Sequence, residues 1–229
     1  MTIQQKQSKP QLGFTVIELL IATAIFSVIL LICAAALVQV GRVYTKGITT
    51  SRTQETAISI MDDVSQALQF SGGAFSPINT PQNPYRFCIN DHRYNFKIGY
   101  QLTDDTSPSS FQANHVLYKD INASCDAAFT NLSSSPAPQE LLSPGMRLAK
   151  LDITQIPSTT RLYSITVRVV YGDNDLLCSP TVDDCNNSND NFTSYSVNGV
   201  PADLSCKSTA GSQFCAVSEL STTVQKRIK

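Results

Sequence analysis

From Leu19 to Val38 the chain runs through 20 residues that are apolar throughout apart from Thr23 and Ser27. As a helix rising ~1.5 Å per residue, that stretch is about 30 Å long, the thickness of a bilayer core. A cleavable secretory signal carries a shorter apolar core and is cut beyond it. This run is long enough to remain in the membrane as an anchor. Beyond about Ser71 the chain is polar, rich in Ser, Thr, Asn and Asp and low in Lys. That split predicts a membrane anchor joined to a soluble, externally placed body.

Glu18 does not suit a plain anchor. It stands four residues after Phe14, inside the apolar segment, with no cation near it in sequence. A carboxylate held in lipid costs ~2.5 kcal/mol or more, so it calls for a partner or a purpose. A cut between Gly13 and Phe14 creates that partner, a new α-amine about one helical turn away. The amine of a neighbouring copy can meet Glu18 as well, which turns a burial penalty into an assembly and register signal.

The run Gly13-Phe14-Thr15-Val16-Ile17-Glu18-Leu19-Leu20 resembles the class III signal of type IV prepilins and type II secretion pseudopilins. In that family a membrane aspartyl peptidase cuts after the Gly and methylates the new N-terminal Phe. The resemblance therefore implies that Gly13 ends the leader, that Phe14 is the methylated N-terminus, and that Glu18 is the acid used in assembly. The leader, residues 1–13 with Lys6 and Lys9 and no acids, is similar to the family's short basic leaders. Positive charge before the span predicts the leader inside and the body outside. The strict resemblance covers residues 9–40. It implies processing by a prepilin peptidase/methylase, contact with other pilin or pseudopilin subunits and with an inner-membrane assembly platform, and lodging in membrane lipid before assembly.

Helical spacing continues past the anchor. Val40, Val43, Tyr44, Ile48, Ala57, Met61, Val64 and Leu68 recur at steps of three and four. Gly41 and Gly47 are weak helix residues that loosen the helix or allow close packing. Phe70-Ser71-Gly72-Gly73 is a C-terminal stop. A helix from Phe14 to Phe70 would be about 85 Å long. The expected segments are the leader at 1–13, a transmembrane or filament-core helix at 14–38, its amphipathic continuation at 39–72, and an extracytoplasmic β-rich domain at 73–229.

In that domain Tyr85–Ile89, Tyr94–Leu102, Val116–Ile121, Leu148–Ile156 and Leu162–Tyr171 read as strands, with Phe214–Ile228 as a last one. Alternation in Leu162–Tyr171 sends Tyr163, Ile165, Val167, Val169 and Tyr171 toward the helix and Leu162, Ser164, Thr166, Arg168 and Val170 away from it. A helix laid over an antiparallel sheet is an α+β fold. The ending Glu219 to Ile228 resembles the C-terminal strand of many minor pilins and pseudopilins. Ser133 to Pro138 reads as a connector.

Of seven cysteines, Cys33 lies in the apolar run, where a small buried hydrophobe is expected. Cys88, Cys125, Cys178, Cys185, Cys206 and Cys215 lie in the polar body, an even set that fits disulfides in an oxidising compartment. Six cysteines leave the connectivity open. Cys178–Cys185, Cys206–Cys215 and Cys88–Cys125 form the preferred set. No Cys-x2-Cys pair exists, and neither His92 nor His115 has zinc-ligand spacing. Residues 172–213 form a polar insert holding three of the cysteines, a candidate contact surface. Its Asp173, Asp175, Asp183 and Asp184 lack the calcium-loop spacing, so a solvated acidic loop is expected and no metal or cofactor.

Net charge is -1, and loss of Lys6 and Lys9 leaves 15 basic against 18 acidic side chains. That balance gives no nucleic-acid surface. No nucleophile elbow, phosphate loop or metalloprotease motif appears, so no enzyme activity is expected. The leading expectation is a minor pilin that primes, caps or decorates a type IV pilus for adhesion, twitching motility or DNA uptake. A minor pseudopilin of a type II secretion system is the first alternative. A monomeric membrane-anchored adhesin or binding protein is the second.

Overall fold

A computed structural model describes residues 13–70, 75–76, 85–90, 92–102, 115–121, 139–157, 161–179, 196–197, 200–201, 204–208 and 211–227. The leader at 1–12, the connector Ser133 to Pro138, and Cys125, Cys185, Asp183 and Asp184 lie outside them. Among the described residues one α-helix, α1 (Val16–Phe70), precedes twelve short or long strands. These are β1 (Phe75–Ser76), β2 (Tyr85–Ile89), β3 (His92–Phe96), β4 (Leu117–Ile121), β5 (Gln139–Glu140) and β6 (Met146–Gln155). They continue as β7 (Leu162–Tyr171), β8 (Leu177–Cys178), β9 (Ser196–Val197), β10 (Val200–Pro201), β11 (Ser205–Cys206) and β12 (Ala216–Gln225). The chain divides into two units, one ending at Val43 and the other starting at Tyr44.

In the second unit two antiparallel sheets share a core with the later turns of α1. The order is β1-β2-β3-β4-β5 in one sheet and β12-β7-β6 in the other. Ala57, Ile60, Val64 and Leu68, spaced at three and four, form the buried stripe of the helix. They meet Phe87 and Ile89 of β2, Tyr94 and Phe96 of β3, and Leu148, Ile165, Val167 and Val169. Burial of one such side chain contributes about 1.5–3 kcal/mol. This is the expected α+β architecture, a long apolar N-terminal helix with antiparallel sheets.

β7 begins and ends where the sequence places it, and Tyr163, Ile165, Val167 and Val169 face the core. Val170 departs from the alternation: it is fully buried on the opposite face, in a second small core with Ala149, Leu177, Leu204 and Cys215. The 172–213 insert supplies that cover, so part of it packs on the sheet rather than standing in solvent. The expected strand Tyr94–Leu102 stops at Phe96. Gly99, at φ 84, turns the chain there, and its N–H then bonds the carbonyl of Leu148 at 2.8 Å. The segment thus closes onto the edge of β6 instead of extending β3. Phe214 lies in a 3-10 turn, Ser212–Phe214, and β12 starts after it.

A bulge between Leu148 and Lys150 shifts the register of β6. Met146 and Leu148 face the core before it, Leu151 and Ile153 after it. Strict alternation from Leu148 would have turned Lys150 and Asp152 inward, so the extra residue keeps both charges in solvent.

Candidate assembly site at the N-terminus of the helix

Thr15 is the last residue before α1, and Glu18 lies in the helix's first turn. The Glu18 carboxylate accepts hydrogen bonds from the Thr15 N–H and the Thr15 hydroxyl, both at 2.8 Å. The Glu18 N–H in turn donates to Thr15 Oγ1 at 3.4 Å. This is the reciprocal capping box, which satisfies amide groups that the first helical turn leaves unbonded. An acid at this end also complements the helix dipole. Thr15-Val16-Ile17-Glu18 carries the pattern openly, yet attention to the lone charge hides it. A solitary anchor does gain something from this acid: a fixed helix start.

Gly13 and Phe14 precede the cap outside the helix, in no regular secondary structure, and Phe14 is 90% exposed. The cut expected between them therefore falls just outside the helix. From Val16 through Tyr44 the large apolar side chains are all exposed, Leu31 and Leu37 by more than 70%. By length and composition this helix can cross a membrane. Thr23 and Ser27 return their hydroxyls to the carbonyls of Leu20 and Thr23, at 3.0 and 2.8 Å. Neither then presents an unbonded donor to an apolar surrounding. Gly41 and Gly47 sit inside the unbroken helix, and a Cβ added at either meets nothing within 4 Å. Cys33 is a free, exposed thiol on this surface rather than the buried hydrophobe expected, because the whole apolar segment is exposed.

Residues 8–34 match the prokaryotic N-terminal methylation motif. The match supports a type IV pilin or pseudopilin family member and covers the N-terminal segment alone. No curated protein and no solved structure matched the chain. The methylation motif implies processing by a prepilin peptidase and assembly with other pilins. Pilin-like proteins that carry this motif are structural subunits. Together with the apolar helix, the motif points to a membrane-anchored chain that becomes pilus-associated.

The remaining candidate residues lie in the body. Cys206 and Cys215 form a disulfide with sulfurs 2.05 Å apart. Cys88 and Cys178 are disulfide-bonded as well. His92 opens β3, and His115 precedes β4 with its Nδ1 3.3 Å from the Glu140 carboxylate. Glu140 also accepts from the N–H groups of Val116, Leu117 and Leu142, at 3.1, 2.8 and 3.4 Å. Burial pushes its carboxyl pKa up, against the pull of those three donors and of His115. Burial lowers Lys97, partly offset by Glu140. Burial, with the Asp63 carboxylate bonded to its hydroxyl at 2.8 Å, raises Tyr94. Lys119 holds the other oxygen of Asp63 at 2.8 Å.

Arg93 and Asp120 form a buried ion pair at 2.8 Å, a costly arrangement to break once made. Arg147, also buried, donates to the carbonyls of Gly99 and Gly172 and to the side chains of Gln101 and Asn174. It ties the 97–102 segment to the turn after β7. Asp173 accepts from Gln101 at 3.3 Å. Among the described residues no group of three His, Cys, Asp or Glu side chains converges on a metal position. The cleft lined by Arg52, Glu55, Thr56, Ser59, Ser143 and Tyr171 is open to solvent.

Proposed function

We propose that this chain is a minor subunit of a type IV pilus that initiates, caps or decorates the filament. The observation that carries the reading is the junction itself: Gly13 and Phe14 just outside the helix, a capping box one residue on, and then an exposed apolar helix. Cleavage there leaves a short N-terminal tail on a helix whose start is already fixed. The apolar surface needs lipid while the subunit waits and neighbouring helices once it is assembled. Moving from one to the other leaves that surface covered throughout, so extraction from the membrane into a helical bundle is not opposed by exposure to water.

In this reading Phe14 carries the methylated α-amine, and Glu18 has two roles. Its hydrogen bonds to Thr15 hold the helix start, and its charge receives the amine of a neighbouring Phe14 as the subunit docks. The body, held outside the cytoplasm, is displayed along or at the tip of the filament. The ending Glu219 to Ile228, observed as an edge strand through Gln225, and the size of the body support a minor rather than an abundant subunit.

The test is genetic and biochemical together. Sheared surface fibres from cells making the tagged chain should contain it in small amounts, and deletion should reduce surface fibres. Intact fibres together with secreted enzymes held inside the cell would oppose this reading and transfer the chain to a secretion pseudopilus.

A further inference from the structure

The Cys206–Cys215 bridge lies where the body grips the helix. Cys215 follows the 3-10 turn Ser212–Phe214 and immediately precedes β12. Lys46, half-buried on α1, donates from Nζ to the Ser212 carbonyl at 3.1 Å and to the Cys215 carbonyl. An ammonium on carbonyls at the end of a helical turn is the favourable polarity. Lys46 lies in the first turn of helix belonging to the body's unit, which starts at Tyr44. The next buried positions, Thr49 and Thr53, direct their hydroxyls to the helix's own carbonyls at Thr45 and Thr49. They pack against the body without holding it by a hydrogen bond from those hydroxyls.

Cys215 is fully buried and seats this turn on the outer face of the sheet, against Ala149 and Val170. A Cβ on Gly172 would come within 3.2 Å of its sulfur. On the other side the bridge reaches Cys206, whose strand pairs with β8. The turn that receives Lys46 is therefore fixed through one covalent bond to a strand pair and through Cys215 to the sheet.

We propose that Lys46 and the Cys206–Cys215 bridge form a redox-set latch, in which the oxidised bridge holds the Ser212–Cys215 carbonyls in place to grip the helix where it enters the body. Setting the latch is a thiol–disulfide exchange. The Cys206 and Cys215 thiols lose two protons and two electrons to the disulfide of a dithiol oxidase, which leaves as a dithiol, and one S–S bond forms in the chain. A reducing dithiol reverses the exchange and releases the turn. The latch belongs to the body and does not depend on the pilus assignment.

The test uses the full chain, extracted in detergent. Lys46→Met should speed hydrogen exchange across residues 45–53 by about tenfold, a loss on the scale of charge-assisted hydrogen bonds. Lys46→Arg, which keeps the donors, should stay near wild type. Because coupling is reciprocal, Lys46→Met should also shift the Cys206–Cys215 thiol–disulfide equilibrium toward the dithiol by a similar factor. The joint Cys206→Ser and Cys215→Ser variant should reproduce the faster exchange at 45–53 while the β7 amides stay protected. The redox titration of Lys46→Met decides the matter even where that double variant does not fold. An unchanged equilibrium constant, or unchanged exchange at 45–53, overturns the latch.

Discussion

Glu18 carries two separable demands, one on shape and one on charge. Glutamine at the same position can still accept from Thr15, since either residue completes a capping box. Glu18→Gln should therefore keep the helix start and lose the attraction to an amine, whereas Glu18→Ala loses both. We expect leader cleavage in both variants and impaired incorporation into filaments in both, measured in sheared fibres. Normal incorporation of Glu18→Gln would assign the residue to capping alone. Thr15→Ala supplies the converse, removing an N-cap that contributes about 1 kcal/mol while leaving the charge. Glu140 makes a different prediction at this scale. Burial raises its pKa above the unfolded value of ~4.3, so folding favours the protonated form. Its contribution is fully present below that value and is lost as pH rises through the raised folded one. Relative to Glu140→Gln, the wild type should lose stability across that window in denaturant titrations. A relative gain would mean that the N–H groups of Val116, Leu117 and Leu142 outweigh desolvation.

Elements were legible wherever one periodicity held without interruption. The buried stripe ending at Leu68 and the alternation of Leu162–Tyr171 needed only local spacing. Gly99 and the β6 bulge were not legible, because each answers to a strand far away in sequence. Val170 looked like a solvent-facing residue because its cover arrives from Leu177 and Leu204 of the insert and from Cys215 just beyond it. The capping box from Thr15 to Glu18 was readable in the sequence, but its acid also stands as a lone charge in an apolar run, which hid its capping role. Packing makes the element prediction. Leu68→Ala, at the C-terminal end of the buried helix stripe, should cost about 2–5 kcal/mol in chemical unfolding of the body. Leu37→Ala, on the exposed apolar helix, should leave that unfolding unchanged and show its effect only in filament incorporation.

At the scale of the whole molecule, the chain joins an apolar helix, exposed among the described residues, to a body with two packed cores and at least one closed disulfide. A body that folds on its own cores does not require the first unit to be covered by anything but lipid or other helices. That division is what allows an assembled subunit to keep its fold while the surroundings of its helix change. It depends on removal of the leader, since only cleavage provides the amine that Glu18 is proposed to meet. Mass spectrometry of the protein purified from its native membrane measures this directly. The account predicts a mature chain that begins at Phe14 and carries one added methyl group on its α-amine. A chain that still begins at Met1, or one cut beyond Val38, contradicts it.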